Sequence, residues 1–125
     1  MRPINVVLAY HDARSAERLA ATLRSQFRNF VVANSPEDVS PAISRLGASF
    51  AVVDLELIGV AQLKQLCAQF PSTAFVCIHR LADDRMWTEA LAAGAVDCCC
   101  ASDARGILLA SERYVSLGRA HRAAA

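Results

Sequence analysis

Five short apolar runs recur along this chain, each followed by a stretch with helix signals, and that alternation restricts the fold to repeated strand and helix units. Ile4 to Ala9 reads as a strand that is apolar on both faces. Asp12 then caps a helix from about Arg14 to Arg28, with Leu19 and Leu23 one turn apart facing inward. Phe30 to Ala33 makes a second short strand. Ser35-Pro36-Glu37-Asp38 starts the next helix with a serine cap, a proline at the first position and acids in the first turn, and Gly47 stops it. Phe50 to Asp54 is the third strand, followed by a turn through Gly59 and a helix from about Ala61 to Gln69 that Phe70-Pro71 ends. Ala74 to Ile78 is the fourth strand, ending at His79. A helix from about Asp84 then runs to Gly94, a glycine suited to a left-handed C-terminal cap. Val96 to Cys100 is the fifth strand, and Ser102 and Asp103 offer caps for a last helix carrying Ile107, Leu108, Leu109, Tyr114, Val115 and Leu117.

Strands alternating with helices predict an α/β fold, a doubly wound five-stranded parallel sheet with helices on both faces, because crossovers are the common way to join parallel neighbours. At 125 residues the chain is one domain. Residues 1–118 form it, and 119–125 read as a flexible tail or the start of a linker. With 13 basic and 12 acidic residues the net charge is +1, which gives no electrostatic footprint for nucleic acid or an anionic membrane. The partners expected are therefore proteins. The apolar run at the start is too short for a signal peptide or a span, so a soluble, cytoplasmic protein is expected. Five cysteines are an odd count, and Cys98, Cys99 and Cys100 are consecutive, which argues against a disulfide framework and for reduced thiols packed as small hydrophobes. No Cys-x-x-Cys spacing and no nearby strong base would activate them.

In such a sheet the chemistry sits where strands end: Tyr10, His11 and Asp12; Asp54 and Glu56; His79 and Arg80; Ala101 and Ser102. Asp54 is the distinctive one, a carboxylate that follows four apolar strand residues. Two readings stand for it. It either carries chemistry or accepts hydrogen bonds from its own turn and from His11 or His79 as part of a structural cluster. His11, His79, Asp54 and Asp12 together suit zinc or another transition ion better than magnesium, which requires hard oxygen ligands. Trp87, the sole tryptophan, lies one turn before Leu91 and reads either as an anchor for a partner or as a packing residue.

With Asp54-Leu55-Glu56-Leu57-Ile58-Gly59 after the third strand and Glu89 to Asp97 before the last, the chain resembles a receiver domain of bacterial two-component response regulators, from about Ile4 to Leu117. The resemblance implies a phosphoacceptor at Asp54 and a magnesium ion held by acids after the first strand. A hydroxyl after the fourth strand and a lysine after the fifth would meet the phosphoryl oxygens, since phosphoryl transfer depends on positioning and cationic stabilisation. Several of these positions depart from the pattern. The paired acids fall on Tyr10 and His11, leaving Asp12 nearby; the hydroxyl falls on His79; the lysine falls on Ala101; and the single lysine, Lys64, lies in the third helix. The aromatic switch position falls on Cys98, and the loop proline on Ile58.

The resemblance therefore implies a degenerate receiver, not an enzyme and without a cofactor. It would act through protein contacts, with a sensor kinase or an output domain as partner. A homodimer through the face of the fourth helix, fifth strand and fifth helix is expected, with Trp87 and Leu91 on that face. The alternative is an orthodox phosphoacceptor with Asp12, Asp54 and Glu56 around magnesium.

Overall fold

The computed structural model describes residues 2–81 and 83–124, with side chains described over 4–81 and 83–115. Five strands form one sheet in the order β2-β1-β3-β4-β5, with every neighbouring pair parallel. The strands are β1 (Arg2–Ala9), β2 (Phe27–Ala33), β3 (Phe50–Asp54), β4 (Ala74–His79) and β5 (Asp97–Cys100). Between and after them lie the helices α1 (Ala13–Leu23), α2 (Pro36–Leu46), α3 (Leu55–Gln69), α4 (Asp84–Ala93) and α5 (Ala104–Ala124). This is the doubly wound arrangement that the alternation predicts. No helix among the described residues is long and apolar enough to cross a membrane.

The two-residue period of the strands divides the core. Val6, Leu8, Phe50, Val52, Val76 and Ile78 face one side, where Leu19 and Leu23 of α1 and Ile107 and Ala110 of α5 cover them. Val7, Ala51, Val53, Phe75 and Cys77 face the other, under Val39 and Ile43 of α2, Leu63 and Leu66 of α3, and Ala90 of α4. Every residue of β3 is buried, as a central strand covered on both faces must be. Cysteine serves here as a small hydrophobe: the described thiols are all free, and burial pushes Cys67 up to about 11 and Cys99 up to about 12.

Some boundaries differ from the sequence reading. The first helix ends at Leu23, not near Arg28; Arg24–Gln26 tighten into a 3₁₀ turn, and β2 already begins at Phe27. Phe27 is buried against Phe50, their ring centroids 6.4 Å apart, so tertiary packing decides a segment whose apolar spacing also suits a helix. Ser35 holds the N-cap position of α2 but makes no side-chain cap bond. The helix after β3 begins at Leu55 and bends at Gly59, whose φ of 68° lies in the left-handed region, where the sequence placed a turn. Gly94 closes α4 at φ 116°, with Cys67 so near that a Cβ there would lie 2.8 Å from the cysteine Cβ. The backbone of α5 stays helical past Gly118 to Ala124, over much of the segment read as a tail; the side chain of Leu117 and the whole of Ala125 lie outside the described residues.

Candidate functional site

Parallel pairing sets the carboxyl ends of β1 and β3 level, with Ala9 opposite Val53, so the residues that follow each strand meet above the sheet. Asp54 ends β3 with 2% of its surface exposed and caps α3, its Oδ1 accepting the Glu56 N–H at 2.9 Å. Its Oδ2 accepts the His11 N–H at 3.0 Å and is in short contact with His11 Nδ1. Both carboxylate oxygens are therefore engaged by this chain's own donors.

Glu56 links three loops. Its Oε2 lies 3.6 Å from His11 Nε2, and its Oε1 lies 3.5 Å from His79 Nε2 and 3.0 Å from Arg80 Nε. His79 Nδ1 accepts the Leu81 N–H at 3.0 Å, which leaves Nε2 to carry the ring proton toward Glu56. The structure thus brings His11 to Asp54 but sends His79 to Glu56 instead of closing a ring of two histidines around Asp54. Arg80 supplies a cation to the rim. Its guanidinium stands with Glu56, not with Asp54.

Asp12 is turned to a different task. It caps α1, accepting the Arg14 N–H at 3.3 Å and the Ser15 hydroxyl at 2.6 Å, and the Ser15 hydroxyl holds its carboxyl below the usual range. Tyr10 is buried beside it. Burial first, and then the Asp54 and Asp12 charges, push its phenol up, so the ring is a neutral donor where an acid ligand would be needed. Ala101 packs against the core and leaves a cavity of about 200 Å³ bounded by Tyr10, His11, Asp12, Asp54, Glu56 and Arg80.

These donors do not fit magnesium. A hard cation needs several free oxygens in near-octahedral array, whereas the Asp54 oxygens face nitrogen donors and Asp12 serves a helix end. Among the described residues no three His, Cys, Asp or Glu side chains are placed to hold one ion, which applies equally to the transition-metal set. A chemical function fits the arrangement better: once protonated, His11 directs one N–H at Asp54 and the other at Glu56, a built-in cation. The Asp54 hydrogen bond, against a smaller opposing effect of burial, raises the His11 pKa, with further support from the Asp54, Glu56 and Asp12 charges.

Away from this rim, Trp87 is 47% exposed on α4, and its indole N–H donates to Asp97 Oδ1 at 3.3 Å. Leu91 is half-buried one turn on. Lys64 stands exposed on α3. The sequence offers Glu56 only as a strand-end acid and an alternative magnesium ligand, and does not show its side chain as the common partner of His11, His79 and Arg80. The one available signal was three cationic or cationisable residues, His11, His79 and Arg80, at strand ends that also carry Glu56.

The fold defines a class: it is the receiver fold of response regulators. No family model matches the sequence, and no curated protein matches it. Solved structures match along nearly the whole chain. One is NtrX from Brucella abortus, solved in complex with ADP, with TM-score 0.85 and 18% identity over 98% of this chain. This chain spans only 28% of that longer protein. The beryllofluoride-activated amino-terminal receiver domain of RstA from Klebsiella pneumoniae gives TM-score 0.75 at 22% identity, covering 88% of this chain and 96% of its own. A response regulator from Burkholderia pseudomallei, solved with a phosphorylated aspartic acid, a calcium ion and citrate, gives TM-score 0.78 at 21% identity over 96% of this chain and 73% of its own.

The His11 site makes a pH prediction. A histidine whose folded pKa is raised above its unfolded value, roughly 6.5, contributes stability that is fully present below that value and is lost as pH rises through the folded pKa. The stability gap between the protein and His11→Ala, measured by urea denaturation, is therefore expected to be larger at pH 6 than at pH 8.5. Proton NMR should show a raised His11 midpoint that falls back in Asp54→Asn; an ordinary midpoint unmoved by that substitution contradicts the assignment.

Proposed function

We propose that this chain is a receiver-type signalling module, not a catalyst, in which His11 has replaced the metal acids and protein contact has replaced conventional phosphorylation. The observation that carries the reading is the engagement of both Asp54 oxygens by His11 and the Glu56 amide. Phosphoryl transfer to Asp54 needs an attacking oxygen free of such partners and cations around the incoming group. Ala101 supplies no cation, and Arg80 turns its Nε to Glu56, not to Asp54. Function follows the site and not the fold, so the likeness to activated receivers does not carry their chemistry across. Kinases, output domains or a second copy of this chain are the partners that the reading implies.

The contact surface in this reading is the face of α4, β5 and α5. Trp87 is held in one orientation by Asp97 while keeping 47% of its surface open, and Leu109 on α5 is 55% exposed. A pre-oriented aromatic costs little ordering entropy on binding and commonly dominates interface energetics.

Incubation with acetyl phosphate and magnesium should leave the intact mass unchanged. A phosphoryl increment lost in Asp54→Asn would restore the orthodox alternative, with Asp12, Asp54 and Glu56 rearranged around the metal. Sedimentation velocity tests the surface separately: Trp87→Ala should lower the sedimentation coefficient at a concentration where the protein self-associates. An unchanged coefficient with unchanged folding removes α4 from the interface.

A further inference from the structure

We propose that the groove between α1 and the start of α5 binds a small organic anion, a carboxylate or phosphate monoester with an apolar body. The inference goes beyond the function proposed above and stands whether or not Asp54 is phosphorylated. A cavity of about 370 Å³ lies there, within the range that small-molecule sites occupy. Its walls are apolar, formed by Leu19, Ala101, Ala104 and the Tyr10 ring. Its charged lining is of one sign: Arg18 from α1 and Arg80 from the β4–α4 loop line it, and no carboxylate residue does.

Charge complementarity chooses the ligand. Arg18 has no ion-pair partner among the described residues, and Arg80 is engaged only through Nε, by Glu56 at 3.0 Å. Two arginines with unspent donors at one groove match an oxyanion, which guanidinium meets in paired hydrogen bonds. Ser102 and Cys100 add a hydroxyl and a thiol, 3.4 Å apart, on the same wall. The Ser102 contact lowers the Cys100 pKa, which accords with a locally donor-rich environment. A bare inorganic ion would leave most of the apolar wall wet, so the body of the ligand is apolar.

The neighbouring rim cavity fixes the orientation. It shares Tyr10, Ser15, Arg80 and Ala101 with the groove but carries Asp12, Asp54 and Glu56, which repel an anion. The head group therefore stays on the arginine side. Because Arg80 serves both, an anion there competes with Glu56 for the guanidinium and reaches the loop that follows β4. Ala101 lines both cavities.

Amide chemical shifts of the labelled protein test this with phenyl phosphate and phenylacetate as probes, and with benzylamine and inorganic phosphate as controls. Saturable shifts centred on Thr22, Ala101 and Ala104 are expected with at least one aromatic anion, and which one responds identifies the head group. Arg18→Gln should weaken that binding about tenfold, the loss of one charge-assisted pair. Ala104→Leu, which fills the groove and leaves its charge intact, should abolish it. Both variants are checked for a native, dispersed spectrum. No saturable shift with either aromatic anion at millimolar concentration overturns the proposal, as does equal response to benzylamine or to inorganic phosphate, or binding indifferent to Arg18→Gln in a folded protein.

Discussion

A carboxylate with 2% of its surface open to solvent has to be met by donors, and the arrangement of the rim follows from meeting the charge of Asp54. The sheet leaves no choice about where Asp54 lies, because β3 is central and buried along its whole length. The Glu56 amide and the His11 amide satisfy part of the charge through backbone geometry. The His11 ring supplies the rest and becomes, when protonated, a cation set directly against Asp54, whereas Arg80 faces Glu56. Charge-assisted bonds of this kind contribute roughly 1.5–3 kcal/mol each, more than an exposed ion pair contributes.

The second carboxylate extends the effect. Glu56 connects the loop after β1, through His11, with the loop after β4, through His79 and Arg80. These are contacts between separate elements, all made by one carboxylate. Arg80 and Ala101 line both the rim cavity and the groove beside α5. Trp87 lies on another part of the surface, held by Asp97 at the start of β5. His79 and Arg80 of the rim and Trp87 of the exposed face all lie in the stretch from β4 to β5.

Much of the fold was legible because the alternating apolar runs agree with their punctuation. Gly59 and Gly94 mark places where the backbone takes a positive φ, and Asp12 and Asp103 accept amide bonds at helix starts. The end of α1 was not legible, because Phe27 fits a continuing helix as well as a strand, and only its burial against Phe50 separates the two. Of the site, the strand-end residues were readable from topology alone, and His11 beside Asp54 was among the pairings weighed. The direction of His79 was not, since a side chain at a strand end can turn to either neighbouring loop. Asp12 shows the same difficulty: nearness in sequence to the rim says nothing about whether a carboxylate serves an ion or a helix end.

A double-mutant cycle on His11 and Asp54 at pH 6, with His11→Ala, Asp54→Asn and the pair measured by urea denaturation, isolates the central interaction from the loss of each residue alone. The account predicts a favourable coupling of about 1 kcal/mol or more, after allowance for the partly open His11 ring. A coupling within about 0.3 kcal/mol of zero, the level at which independent sites simply add, would contradict it.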